Sequence, residues 1–175
     1  VYDCLGAGVS FDLNKQAKSI LECQPNIIGF SATTSSFPDA ADLAQKIKEQ
    51  APEIITVCGG VHVSALEGKL LRDYPAFDYL IAGEGEITMS ELTAGAVPAE
   101  IQGLIWRDGE EIVANAPRTK IPDMDSLPFP AYEKLHGFPR DYHLPLFSYI
   151  QTPGATMITS RGCMYQCSYC DRSVF

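Results

Sequence analysis

The chain has 175 residues, of which 46% are hydrophobic and 20% are charged, and these proportions are typical of a globular protein. Its formal net charge of −9 disfavours the basic surface by which proteins bind nucleic acid. No apolar run approaches the roughly 18 residues that a membrane span requires, and Val1 is not followed by a basic leader.

The first half of the chain alternates between helical and strand patterns. Apolar residues at helical spacing predict helices, and continuous apolar runs predict strands that are buried on both faces. Alternation with short connections predicts a parallel sheet with right-handed crossovers, that is, a Rossmann-like or flavodoxin-like α/β domain over residues 1–96. The predicted elements cover residues 13–23, 26–32, 40–47, 54–58 and 77–82, with a weak helix up to residue 92.

Two places have the spacing of a helix capping box. Ser36 and Asp39 stand before the second predicted helix, and Ser64 and Glu67 stand before the apolar residues of the next one. In such a box, the first side chain caps the backbone N–H groups of the first helical turn. We therefore predict that helices begin near residues 37 and 65.

Small residues dominate the loops after the three predicted strands. In an open parallel sheet, ligands bind beyond the carboxyl ends of the strands, and small residues let the backbone approach a large flat ligand. Glycine and serine are also ordinary turn residues, so the loops alone leave ligand binding and simple turn formation as equal alternatives. The candidate binding residues are Ser31, Ala32, Thr33, Thr34, Gly59, Gly60, Val61, His62, Gly83, Glu84 and Gly85.

Some polar residues in these loops suggest a more specific role. His62 is a potential metal ligand, but it follows Gly59 and Gly60 on a tight loop, so we interpret it as a loop or packing residue. Glu84 and Glu86 are a potential acid–base pair, but we interpret them as charges at a helix N-terminus.

A hairpin and a connector are predicted after residue 96. Segments 103–107 and 111–115 flank Asp108 and Gly109, a dipeptide that strongly favours a hairpin turn. A proline-rich stretch with a helical turn near 132–135 then runs to residue 153. Its aromatic residues predict packing on a surface. We thus expect hairpin and connector over 97–153.

The last region, 154–175, is predicted to open with a strand over 155–160 and to continue into three cysteines. Cys163, Cys167 and Cys170 follow a C-x3-C-x2-C spacing. Thiolates are soft ligands of iron–sulfur clusters, and three of them leave one iron of a cubane open for chemistry. Zinc is the alternative, but closed zinc sites take four protein ligands, and neither His143 nor Cys58 lies at an ordinary zinc spacing.

The other three cysteines, Cys4, Cys23 and Cys58, stand alone among apolar neighbours. Free cysteine packs as a small hydrophobic residue, so we interpret all three as buried thiols. Clustered cysteines without secretory features favour metal over disulfide and predict a reducing, cytoplasmic compartment.

The segment from Thr159 to Cys170 resembles the cluster loop of the radical S-adenosylmethionine (SAM) superfamily. The resemblance implies that the three cysteines bind a 4Fe-4S cluster whose open iron takes the amino and carboxylate groups of SAM. A reductant such as flavodoxin or ferredoxin would then drive cleavage of SAM to a 5'-deoxyadenosyl radical, which abstracts hydrogen from a small-molecule substrate. By the same resemblance, Tyr169 lies against the adenine.

The sequences GFSATT, CGGVH and AGEGE, followed by the proline-rich connector and the cysteines, resemble the cobalamin-binding domain of B12-dependent radical SAM enzymes. These enzymes include methyltransferases that act on unactivated carbon and the anaerobic magnesium-protoporphyrin IX monomethyl ester cyclase. The resemblance implies that the three loops hold cobalamin. The D-x-H-x-x-G motif of classical B12 domains is absent, which implies no histidine on cobalt.

The resemblance also implies that the first strand and helix of that domain are missing. Residues 1–5 resemble its second strand, so the sheet is expected to have a gap. We expect the chain to be an inactive N-terminal fragment of an enzyme that performs methyl transfer or another radical modification of an unactivated carbon. Two alternatives stay open: a radical SAM enzyme whose upstream domain binds no cobalamin and serves for docking, and a non-enzymatic α/β interaction domain with a zinc-bound tail.

Overall fold

The protein is described by a computed structural model that covers residues 2–4, 10–135, 137–140 and 157–170. Five strands form one sheet in the order β1-β2-β3-β4-β5. The first three strands are parallel, and the last two are antiparallel to their neighbours. The predicted α/β fold with a parallel sheet is confirmed. The strands are β1 (Ile27–Ser31), β2 (Ile55–Gly59), β3 (Tyr79–Ile81), β4 (Leu104–Asp108) and β5 (Glu111–Ala114).

Helices connect the parallel strands, as the apolar periodicity predicts. Residues 13–23, 40–47 and the weak pattern before residue 92 each correspond to a helix in the structure. No helix in the described ranges is long and apolar enough to cross a membrane. The helices are α1 (Leu13–Leu21), α2 (Phe37–Gln50), α3 (Val61–Leu66), α4 (Gly68–Asp73) and α5 (Glu86–Thr93).

Residues on both faces of β2 and β3 are buried, which explains the continuous apolar runs of these two strands. Cys58, Leu80 and Ile105 face one core cluster together with residues of α2, α3 and α4. Val57 and Ile81 face a second cluster, which includes Leu92 of α5. Successive strand residues point to opposite faces, so β2, β3 and β4 each contribute buried residues to both cores.

The helix predicted to begin near residue 65 differs from the structure. Ser64 lies inside α3 and does not cap a helix, and Glu67 has a left-handed φ of 48° that separates α3 from α4. A Cβ atom at Gly68 would lie 3.2 Å from Cγ2 of Ile112, so the chain passes close to β5 at this point. The capping prediction at Ser64 is therefore wrong, because a close approach to a later strand bends the chain.

The capping box predicted at Ser36 and Asp39 also differs from the structure. Ser36 is the N-cap residue of α2, but its side chain makes no capping hydrogen bond to the helix. Its Oγ instead accepts a hydrogen bond of 3.0 Å from the backbone N–H of Thr33. The helix start is correctly predicted, whereas the side chain stabilises the preceding loop.

The predicted hairpin is confirmed, and it extends the sheet. Leu80 in β3 pairs with Ile105 in β4, and Asp108 pairs with Glu111 across the turn at Gly109. The domain boundary at residue 96 stays a prediction, although the sheet itself continues across it.

Two segments were predicted to be strands, but their described residues do not form one. Tyr2–Cys4 has no strand conformation; Cys4 packs instead beside the cluster between α1 and α2. The five described strands pair without interruption, so the expected gap does not fall among them. Met157–Ser160 is exposed and irregular, since no described strand pairs with it, while residues 155–156 lie outside the described residues.

The connector is only partly packed. A short 3-10 helix at Tyr132–Lys134 confirms the predicted turn, and the rings of Tyr132 and Phe138 stack with centroids 5.0 Å apart. Phe129, however, is 85% exposed, so the prediction that it packs on a surface is wrong. Three further aromatic residues of the connector, Tyr142, Phe147 and Tyr149, lie outside the described residues.

Candidate functional site

Three loops meet where the parallel strands end. We call this surface the carboxyl edge, and it comprises residues 31–36, 59–62 and 82–86. Ser31 in β1 is in register with Gly59 in β2, and the N–H of Ala32 donates to the carbonyl of Gly59 over 3.2 Å. The parallel register thus brings the predicted binding loops to one side of the sheet.

Gly60 permits the closest contact between the first two loops. Its φ of 102° is left-handed, and a Cβ atom there would lie 2.7 Å from the carbonyl oxygen of Ala32. Any larger residue would therefore push the loops apart. Gly59 itself ends β2, and Val61 already begins α3, so the tight loop predicted over 59–62 is reduced to Gly60.

His62 lies between the first loop and the core. Its Nδ1 is 3.3 Å from Oγ1 of Thr34, within hydrogen-bond distance. Its ring packs on Phe37 with centroids 4.3 Å apart and a tilt of 37°. These contacts hold the imidazole against the protein, as the packing interpretation of His62 requires.

Ser64 joins the second and third loops. Its Oγ donates to the carbonyl of Gly60 over 3.1 Å and accepts from the N–H of Gly83 over 2.9 Å. The Ser64–Glu67 spacing does not indicate this role, because it is that of a helix cap. The hydroxyl at the first turn of α3 is the only local signal for it.

The surface of the carboxyl edge is open and rich in hydroxyl groups. Thr33, Thr34 and Ser35 are exposed, and Oγ1 of Thr33 lies 3.0 Å from Oγ of Ser35. At Gly83, with a φ of 79°, a Cβ atom would meet nothing within 4 Å. A broad polar ligand fits such an edge, since the hydroxyl groups of the first loop and Gly83 are exposed among the described residues.

The third loop carries the acidic residues of the edge. Oε2 of Glu84 accepts a hydrogen bond of 2.7 Å from the N–H of Ile121, and its Oε1 lies 3.6 Å from Nη1 of Arg161. Glu86 begins α5 and forms an ion pair with Nη2 of the same Arg161. The hydrogen bond from Arg161 lowers the pKa of Glu86 below its usual value. An ionised carboxylate at neutral pH is a poor general acid.

A second arginine fixes the segment after the hairpin to α5. Nε of Arg118 donates to Oγ1 of Thr88 over 2.9 Å, and its Nη2 pairs with Glu91. Together with the bond from Ile121 to Glu84, this contact places residues 118–121 along the third loop. No local pattern in the sequence indicates these contacts, because their partners are 30 and 37 residues apart.

The cysteine motif lies in the exposed segment 157–170. Cys163, Cys167 and Cys170 are all exposed, and the N–H of Cys170 donates to the carbonyl of Cys167 over 3.2 Å. Within the described part of the chain, no three potential ligands are gathered in a metal-binding arrangement. The donors nevertheless fit an iron–sulfur cluster chemically, because they are three accessible thiols on one short segment. Tyr169 is also exposed.

The isolated cysteines differ from one another. Cys58 is fully buried, and burial raises the pKa of its thiol to about 12. Cys4 is half-buried, and burial also raises the pKa of its thiol. Cys23 is exposed, so its predicted burial is wrong: it lies just beyond the end of α1, and its Sγ is 3.8 Å from the carbonyl oxygen of Ser19 in that helix. His136 and His143 lie outside the described residues.

Comparison with known families gives a match to the first half of the chain. Residues 3–93 match the B12 binding domain family. This range includes β1, β2, β3 and all three loops of the carboxyl edge.

Two curated relatives cover nearly the whole chain. An uncharacterized methyltransferase of Pyrococcus horikoshii is 32% identical over 164 residues, which are 90% of this chain and 34% of the relative. The anaerobic magnesium-protoporphyrin IX monomethyl ester cyclase of Cereibacter sphaeroides is 29% identical over 168 residues, which are 92% of this chain and 26% of the relative. The chain therefore spans between a quarter and about a third of the length of these relatives.

A solved structure shares the fold. It is the radical SAM methyltransferase from Kitasatospora setae with cobalamin and a 4Fe-4S cluster bound. The TM-score is 0.53 at 16% identity, and the match covers 62% of this chain and 22% of the other. The likeness confirms the fold class that was predicted from the alternating strands and helices.

Proposed function

Because this chain belongs to the family of B12 binding domains, we propose that its carboxyl edge binds cobalamin and that Cys163, Cys167 and Cys170 hold a 4Fe-4S cluster. In this proposal the chain is part of a longer cobalamin-dependent radical SAM enzyme. The observation that carries the proposal is the meeting of three small-residue loops at one open edge of the sheet, within the range that matches the family.

The residues of the carboxyl edge have complementary roles in the proposed cobalamin site. Thr33 and Thr34 offer hydroxyl groups to the polar rim of the corrin or to its nucleotide tail. Gly60 and Gly83 keep the neighbouring backbone accessible. His62 stays on Phe37 and Thr34, so the proposed site has no histidine on cobalt.

The cysteine segment has a separate role. When bound, the cluster supplies the electron for SAM cleavage and an open iron for the amino and carboxylate groups of SAM. The three thiolates would hold it, and Gly162, with a φ of 88°, turns the backbone immediately before Cys163. Tyr169 is 90% exposed, so its ring is accessible to the adenine.

The reaction of the whole enzyme is proposed from its relatives. One relative is named a methyltransferase and another a cyclase of magnesium-protoporphyrin monomethyl ester. We therefore propose methyl transfer, or another radical modification of an unactivated carbon, on a small molecule. Flavodoxin or ferredoxin is the proposed electron donor.

The proposed cobalamin site can be tested with two glycine variants. The chain is mixed with hydroxocobalamin and passed through gel filtration, and the corrinoid absorbance that elutes with the protein is measured. We expect the unchanged chain to retain corrinoid. Gly60→Ala should bind about tenfold more weakly or worse, because its Cβ would lie 2.7 Å from the carbonyl oxygen of Ala32.

Gly109→Ala is the matched control. Gly109 also has a left-handed φ, of 61°, but it lies at the hairpin tip and its Cβ would meet nothing within 4 Å. We expect this variant to retain corrinoid, and circular dichroism should show both variants folded. Equal binding by the two variants, or no corrinoid on the unchanged chain, would contradict the proposed site.

The proposed cluster is tested separately. After anaerobic reconstitution with iron and sulfide, the unchanged chain should show sulfur-to-iron absorbance and bound iron. We expect both the absorbance and the bound iron to be lost in each of the variants Cys163→Ala, Cys167→Ala and Cys170→Ala. Both should be retained in Cys23→Ala, which changes an exposed cysteine outside the motif. Zinc without iron would instead support a zinc-bound tail.

A further inference from the structure

Arg161 connects the cysteine motif to the carboxyl edge. It lies two residues before Cys163, and its side chain is 28% exposed. Nη1 lies 3.6 Å from Oε1 of Glu84, and Nη2 pairs with Glu86. One guanidinium therefore contacts two carboxylates of the third loop across more than seventy positions of sequence.

The two carboxylates are themselves fixed. Glu84 is 18% exposed at its side chain and accepts from the N–H of Ile121 over 2.7 Å. Glu86 is the first residue of α5, where the helix dipole favours a negative charge. The receiving groups are thus held by the sheet edge, the helix and the connector before Arg161 reaches them.

We propose that Arg161 is a positioning residue that holds the start of the cysteine motif against the carboxyl edge, so that the cluster and cobalamin lie next to each other. This inference rests on the proposed function for the identity of the two cofactors. The contact itself rests only on Arg161, Glu84 and Glu86.

An arginine suits this task better than a lysine. The planar guanidinium presents two nitrogen atoms at a fixed angle, so it can reach two carboxylates at once, whereas an ammonium is a single point of charge. Isolated exposed ion pairs contribute little, because each immobilises two long side chains. Here one arginine side chain is ordered for two pairs, and Glu84 is already ordered by Ile121.

The first experiment measures the contact in the chain without cofactors. Backbone ¹⁵N relaxation gives order parameters for Ser160, Arg161 and Gly162. In the unchanged chain we expect values near the rigid limit of about 0.85, and in the Glu84→Gln/Glu86→Gln variant values below about 0.6. In Glu84→Gln the side-chain amide oxygen can still accept the hydrogen bond from the N–H of Ile121, so we expect the loop to keep its fold.

The matched control carries the same charge change at the hairpin. Glu110→Gln/Glu111→Gln replaces two adjacent exposed carboxylates, and we expect it to leave the order parameters of residues 160–162 unchanged. If the Glu84→Gln/Glu86→Gln variant also leaves them unchanged, the attachment does not exist and the inference is overturned.

The second experiment measures the position of the two cofactors. In protein loaded with both, paramagnetic cob(II)alamin should speed the electron-spin relaxation of the reduced cluster when the two are close. We expect Arg161→Gln to bind both cofactors and lose this enhancement, while Arg72→Gln, at an exposed arginine in α4, keeps it. A purely structural role for Arg161 would leave the enhancement unchanged in protein that stays loaded.

The results separate this inference from the proposed function. If the unchanged chain binds no cobalamin, the proposed function fails, yet the order parameters still decide whether Arg161 anchors the motif. If both cofactors bind and Arg161→Gln retains the relaxation enhancement, the proposed function stands and the positioning role is overturned.

Discussion

Cys58 is the residue whose chemistry the fold determines most clearly. It is the penultimate residue of β2 and has no exposed surface, and burial raises the pKa of its thiol to about 12. The thiolate is the reactive form of cysteine. The sequence correctly predicts Cys58 as a buried thiol, because the residues around it are apolar on both sides.

We predict that Cys58 resists alkylation in the folded chain. Iodoacetamide at about pH 8 should modify the exposed Cys23 but not Cys58, and denaturation should make both reactive. Peptide mass spectrometry after a short exposure measures the two rates. Similar rates in the folded chain would show that β2 is not buried as described.

A second residue-scale prediction concerns the pKa of Glu86. The hydrogen bond and charge of Arg161 lower this pKa from the usual 4.5, although partial burial opposes the shift. A lowered folded-state pKa means that the ionised form is favoured in the fold. The stabilisation by the ion pair is therefore fully present above the usual pKa and is lost as the pH falls through the lowered value.

Carboxyl ¹³C shifts followed during an acid titration should show Glu86 with a midpoint below 4.5. Arg161→Gln should raise this midpoint towards the usual value, because the hydrogen bond and the charge of Arg161, which lower the pKa of Glu86, are removed. A midpoint that does not respond to Arg161→Gln would mean that the two side chains are not paired in solution.

At the scale of elements, a polar network fixes β3 to β2 and α2. Oδ2 of Asp78 accepts from the N–H of Thr56 over 2.7 Å, from the hydroxyl of Thr56 over 3.0 Å and from Nζ of Lys48 over 2.7 Å. Thr56 is fully buried. Because Asp78 directly precedes β3, this network holds the start of the strand whose other end forms the third loop.

We predict that Asp78→Ala lowers the free energy of unfolding by about 2–4 kcal/mol. The change leaves the buried Thr56 groups and the largely buried Lys48 ammonium without this carboxylate. Asp42→Ala, at an exposed position of α2, should change stability by less than about 0.5 kcal/mol. Urea denaturation measures both, and equal effects of the two variants would show that the network does not stabilise the fold.

The elements differ in how far the sequence determines them. β2 is predictable because residues on both of its faces are buried, which leaves an apolar run. β1 lies at the edge of the sheet and has no fully buried residue, so its prediction rests on the short apolar run alone. The hairpin is predictable because Asp108 and Gly109 suit the turn itself. The break between α3 and α4 is not, because it follows from the packing of Gly68 near Ile112 on a strand that comes later in the chain.

At the scale of the whole molecule, the sequence predicts where the candidate site lies. It does not predict which contacts hold the three loops of the site together. Parallel strands bring their carboxyl ends to one edge, so the three loops are expected to meet there. The connections among them, through Gly60, Ser64 and the two carboxylates of the third loop, depend on side-chain positions in three dimensions. Arg161 and Glu86 are 75 residues apart, and no local pattern indicates their contact.

The molecule thus combines a sheet edge that suits a large polar ligand with a thiol segment attached beside it. Residues 3–93 carry the match to the B12 binding domain family, whereas the cysteines lie outside this range. The proposed function therefore requires that two separate parts of the chain each bind a cofactor.

The most direct test is the metal content of the chain after anaerobic incubation with hydroxocobalamin, iron and sulfide, followed by gel filtration. We predict about one cobalt and about four irons per chain. A chain that elutes without cobalt, or that carries zinc in place of iron, would contradict it.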